Sequence, residues 1–237
     1  MTMDEHGWCA APIIPGDWSE LHGADALTMT FEIGAGFDRL DASPDIAGAQ
    51  PFDDLRIERL RARPLACYPG GLLIEVQARI GEQLGLSNHL YGPWGMHLLD
   101  GGSAVLHDLN DVDGALSLET LPQALDYHRL FCNVVRGDEG RFRVIAAPEQ
   151  VAWHAGADPG AETLALLDRP VQARGVPGFW SIASPVFYGG ALFRARFELQ
   201  RNGMIEMVDD EPLETPFPAE AESWIGPFRI PHWGVPA

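Results

Sequence analysis

Lysine is absent: all 16 basic residues of this 237-residue chain are arginines. A Walker-A phosphate loop, the β3 strand of a protein kinase and a pyridoxal-phosphate Schiff base each need a lysine amine, so those chemistries are excluded. Cysteine is scarce as well, with Cys9, Cys67 and Cys132 far apart and no CxxC pair. An odd count of scattered thiols suits a reducing compartment better than a disulfide framework. No apolar run approaches the length of a bilayer span. The start, "MTMDEHGWCAAPIIPGDW", lacks the basic residues and apolar core of a secretory signal. These absences lead us to expect a soluble, cytoplasmic protein of bacterial type with no membrane partner.

Catalytic signatures are missing too. HExxH, GxSxG and GxGxxG do not occur, and none of the eight histidines falls at a zinc spacing. We therefore expect no cofactor and no resident metal. Acids outnumber bases 34 to 16, for a formal charge of −18. Phosphate backbones need clustered cations, so nucleic acid is not an expected partner. The 46% hydrophobic and 9% aromatic content is ample for a packed core.

Periodicity supplies most of the structural expectations. "ALTMTFEI" at 26–33 alternates Leu27, Met29, Phe31 and Ile33 with polar residues, which predicts a half-buried strand, followed by a long loop over 34–51. "FDDLRIERLRAR" at 52–63 reads as a strand with a bulge, a short helix being the alternative. "GGLLIEVQARI" at 70–80 sends Ile74, Val76, Ala78 and Ile80 one way and Glu75 and Arg79 the other, with a helix over 73–84 as the alternative. Residues 88–114 read as short strands joined by turns, among them "LDGGS" at 99–103 and "HDLNDVDG" at 107–114.

Thr120 as N-cap and Pro122 in the first turn predict a helix over about 121–136, with Gly137 closing it in a left-handed conformation. That helix is apolar on most sides, so it should be buried. A short helix is expected at 161–168. Residues 179–213 read as an antiparallel meander whose second hairpin turns at Asn202-Gly203 in type I′ geometry. "VDDEPLETPFPAEAE" at 208–222 reads as a solvated, extended edge. The aromatic tail after it should dock on the body or on a second copy, which keeps a homo-oligomer open. The expected fold is α+β, mainly antiparallel sheet, with a buried central helix and a C-terminal β-meander. It is read as one unit over 1–237, with a subdomain boundary near 150–175 as the alternative.

Two clusters carry any chemistry. His128 and Cys132 are four apart on one helical face, where an imidazole could activate a thiol. That face is the most apolar one, so both are expected to be structural. The loop "HDLNDVDG" gathers His107, Asp108, Asp111 and Asp113 near Asp100 and Arg129. Its spacing lacks the bidentate glutamate of a calcium loop. Should a site exist, His107 and Asp108 are the catalytic candidates, and Asp100, Asp111, Asp113 and Arg129 the binding ones. The leading expectation is a non-enzymatic binding or interaction module with a protein or small-molecule partner. The alternatives are a carboxylate and histidine hydrolase assisted by a divalent metal, and a carrier of small apolar ligands.

Overall fold

The alternation in Leu72–Ile80 does build a strand, and one of the two main sheets forms around it. The structure, a computed structural model, describes residues 7–41, 55–151, 153, 158–169, 171–213 and 222–232. Among them, four α-helices and mainly antiparallel sheets make an α+β fold, as the patterning implied. They group into two compact units: the described parts of Met1–Leu65, Gly70–Asp100 and Glu222–Pro231, and those of Ala66–Pro69, Gly101–Ala221 and His232–Ala237. The described residues of the 150–175 stretch lie inside the second. No helix among the described residues is long and apolar enough to cross a membrane.

In the first unit β1 (Ser19–Glu20), β2 (Arg56–Pro64), β3 (Leu72–Ile80) and β4 (Gln83–Gly92) lie side by side. The sheet continues from β4 through β14 (Phe228–Pro231) to β13 (Glu222–Ile225), and β5 (Gly95–Leu99) also pairs with β4. The register of β2 shifts between Ile57 and Arg59, the bulge its pattern implied. Where a strand was expected over 26–33, the chain forms helix α1 (Gly23–Asp41). Ala26, Met29, Ile33 and Phe37 recur at helical spacing and pack on Leu60, Ile74, Val76 and Phe228. Leu27 and Phe31, half of the apparent alternation, are 73% and 76% exposed. The period of two was local; the period of 3.6 reaches Phe37. The rest of the expected loop, residues 42–51, and the first three residues of the strand expected after it lie outside the described residues.

The polar side of β3 is sealed as well. Glu75 is fully buried. It pairs with Arg61, accepts from Arg229 at 3.2 Å and takes the Ile13 N–H at 3.0 Å. Gln77 accepts the Cys9 N–H at 2.7 Å, and Arg229 donates to the Ala11 carbonyl at 2.8 Å. The Arg61 guanidinium carbon stands 4.1 Å from the Trp8 ring centre. A buried carboxylate is tolerated because two cations and an amide satisfy it.

The second unit begins with α2 (Ala104–Asn110), where the sequence suggested strands and turns, and only residues after Asn110 turn. Helix α3 (Leu121–Val134) is the buried central helix expected: Ala124, Tyr127 and Leu130 are wholly enclosed. Gln123 Oε1 accepts the Thr120 N–H at 2.9 Å as part of a capping box. Gly137 does not close this helix, because Val135 is already extended and the chain enters the small ladder of β6 (Arg136–Gly137) and β7 (Gly140–Arg141). Strand β8 (Arg143–Val144) follows, then α4 (Gly160–Leu167), near the expected place.

The main sheet of this unit joins β9 (Gln172–Val176), β10 (Phe179–Tyr188), β11 (Ala191–Gln200) and β12 (Ile205–Pro212), with β8 beside β10. The expected meander is thus present. Its type I′ geometry sits elsewhere, however. Gly189 and Gly190, with φ of +58° and +76°, make the two-residue turn between β10 and β11. At the second hairpin only Gly203 has positive φ, +79°, and the Met204 N–H is taken by Asn202 Oδ1 at 3.1 Å. Asn202 stays out of the left-handed region, so a three-residue turn replaces the I′ pair. Strand β12 is exposed along nearly all its length, as the acidic edge implied; residues 214–221 and 233–237 lie outside the described residues. The described part of the aromatic tail docks within the chain, with Phe228 and Ile230 in the first unit's core.

Candidate functional site: an arginine-lined trough

The residues singled out by sequence do not make a pocket. His107 lies half-buried on α2, its ring 6.1 Å from that of Phe131. Asp108, Asp111 and Asp113 are exposed around the end of that helix, and Arg129 is half-buried on α3. Asp100 is exposed and belongs to the first unit. Among the described residues, no three of His, Cys, Asp and Glu converge as metal ligands. It is Asn110, part of the same loop but not among the candidate site residues, that bonds across the region. It accepts from Tyr68 at 2.7 Å and donates to Tyr127 at 2.8 Å, and Tyr127 donates to the Gly203 carbonyl at 2.9 Å.

His128 and Cys132 face inward with Phe197. Burial, helped by the Arg129 charge, pushes the His128 pKa down to about 3, and burial raises that of the Cys132 thiol. Ser184 Oγ lies 3.4 Å from His128 Nε2, a nucleophile and base in contact, yet both residues are sealed from solvent. In the first unit burial likewise takes His89 to about 3 and, against the pull of Arg229, Cys9 up to about 11. None of these groups is poised to transfer a proton or attack a substrate near neutrality.

The open face of the second unit's sheet behaves differently. Directly paired residues in an antiparallel ladder point to the same side. Ile182, Val186, Phe197 and Leu199 fill the inner side and are buried. On the outer side Ser181 pairs with Arg174, Ala183 with both Gln172 and Arg196, and Pro185 with Arg194. Arg196 and Arg194 in turn pair with Asp209 and Glu211 on β12. Small residues on β10 thus run between longer ones on β9 and β11, with Arg174 facing Glu198 across Ser181 and Gln172 facing Arg196 across Ala183, which leaves a trough of about 450 Å³.

Hydrogen bonds shape this trough. Arg194 donates to Gln172 Oε1 at 3.1 Å, reaching across Ala183 and closing one end. Arg196 donates to Asp209 Oδ2 at 3.1 Å, with side chains 44% and 67% exposed. A pair so exposed contributes at most about 1 kcal/mol and yields easily to a competitor. Among the described residues, Arg174, Ser181 and Glu211 have no side-chain partner. Beyond the Arg194–Gln172 bridge, a hollow of about 20 Å³ is lined by Arg169, Leu166 and Leu213 among others. Four of the chain's 16 arginines therefore gather on one face of an acidic protein.

The only hint in the sequence was the outward set Arg194 and Arg196 in β11. Arg174 could join them only once the register through β10 was known. The chain matches no known protein family, curated protein or solved structure.

Proposed function

We propose that this protein is a non-enzymatic binding module that takes a small anionic ligand into the trough of its second unit. The observation that carries this reading is the convergence of Arg174, Arg194 and Arg196 over the small floor residues Ser181 and Ala183. Guanidinium groups match oxyanions with paired, directional donors. A volume of about 450 Å³ is in the range of small-molecule sites. The long-range repulsion of a −18 chain is damped within about 8 Å at physiological salt, so the local arginines dominate at the trough.

The polar lining favours an anion over an apolar cargo. The sealed state of His89, His128, Cys9 and Cys132 favours binding over turnover. The three thiols are free and buried, which suits the cytoplasmic setting we assign to the protein. Thermal melting with phosphate, sulfate, citrate and succinate, at constant ionic strength, tests the reading. At a hundredfold excess over its Kd, a ligand of the folded state adds about 2.7 kcal/mol of stability. Arg174→Ala combined with Arg196→Ala should abolish the shift. A flat response to every anion at millimolar concentration contradicts the proposal.

A further inference from the structure

We infer that the group held over Ser181 is the phosphoryl group of a small hydroxylated phosphomonoester, such as a sugar or polyol phosphate. The inference rests on the trough being an anion site. Arg174 stands on β9 beside Ser181 and Arg196 on β11 beside Ala183, two residues further along β10, so the two cations face each other diagonally, about 12 Å apart at the backbone, with Glu198 directly across Ser181 from Arg174. A carboxylate offers two oxygens in one plane, which one guanidinium fork satisfies, leaving the opposite bank to water. A phosphomonoester carries about −1.5 to −2 charge and three diverging terminal oxygens. It can accept from both banks at once. The third direction is the floor, where the Ser181 hydroxyl has no side-chain partner among the described residues and can donate.

The rest of the trough selects the organic part. Among the described residues its lining holds no aromatic side chain, so a nucleobase finds no surface to stack on. On the far side of the trough Asp209 and Glu211 offer carboxylate oxygens, acceptors suited to hydroxyl groups. Arg194, tied to Gln172, closes the end beyond Ala183, so the ligand should lie with its phosphoryl toward Arg174 and its hydroxyls toward β12. Arg196, freed from Asp209, would turn to the phosphoryl.

Isothermal titration of the full chain at fixed ionic strength tests this with glucose 6-phosphate, inorganic phosphate and succinate. Glucose 6-phosphate should bind at least tenfold more tightly than succinate and measurably more tightly than inorganic phosphate. Arg174→Gln should weaken it tenfold or more, and Ser181→Ala about threefold, with succinate indifferent to the serine change. Both positions are on the solvent side, and unchanged melting of the ligand-free variants confirms that they fold. Succinate binding as tightly as glucose 6-phosphate, in a way that needs Arg174, overturns the phosphoryl assignment while leaving an anion trough. Inorganic phosphate binding equally well overturns the ester. No anion binding, or binding indifferent to Arg174→Gln, overturns both this inference and the trough itself.

Discussion

The two sheets use the same residue in opposite ways. In the first unit Arg61 and Arg229 are about 95% enclosed, held by Glu75 and by the backbone carbonyls of Ala10 and Ala11. In the second, Arg174 and Arg196 stand on an open face, one without a partner among the described residues and the other in an exposed pair with Asp209. An arginine buried against a carboxylate of the fold is part of the fold. One whose donors are left over is available to a ligand. Charge and residue type do not separate these roles; burial against a partner does, even though Arg229 Nε itself has none.

The comparison breaks most sharply at Glu75. Glu75→Ala leaves two buried guanidinium groups uncompensated and should cost about 3–5 kcal/mol, read as a lower denaturant midpoint. Arg174→Ala, on the open face, should change stability by less than about 0.5 kcal/mol. Similar losses for the two variants would remove the distinction between a buried, paired arginine and an open one.

Acidification touches both units in the same direction, through one buried histidine each. His89 and His128 have folded pKa values of about 3, below the unfolded value near 6.5. The unfolded chain therefore binds more protons in that window, so stability is full above pH 6.5 and falls as the pH drops toward 3. Each histidine should contribute roughly 1.4 kcal/mol per pH unit through the middle of the window. His89→Gln and His128→Gln should each flatten the pH dependence of the denaturant midpoint relative to the unmodified chain. A variant that keeps the original slope shows that its histidine is charged or exposed.

Cys132 provides a smaller test. It packs with Val144, Val186, Ala195 and Phe197, so Cys132→Ser buries a hydroxyl there and should cost about 1 kcal/mol or more while leaving ligand binding unchanged. Rapid reaction of this thiol in the native protein would contradict its burial. The smallest effect is expected at Asp209. Asp209→Asn removes the carboxylate that competes for Arg196 and should strengthen phosphate binding by about threefold, measured by titration.

How much of this could be read beforehand follows from the distances involved. The helix start at Thr120 and Pro122, the bulge near Ile57 and the meander were legible because each is written in nearby residues. Helix α1 was misread because eight residues of alternation hid a face extending to Phe37. Glu75 looked solvent-facing because alternation reports which side a residue takes and not what covers that side. His107 and the aspartates stood out by composition, yet they lie around one short helix and line neither hollow described above. The trough was not legible at all, since Arg174 and Arg196 share a face only through the pairing of both their strands with β10.

The central claim is that the open arginines bind an anion. Its most direct test is the melting temperature of the protein and of its Arg174→Ala, Arg196→Ala double variant, with and without 10 mM phosphate at matched ionic strength. The two should melt together without phosphate, and only the unmodified protein should melt higher with it. An equal shift in both, or a shift in neither, would contradict the account.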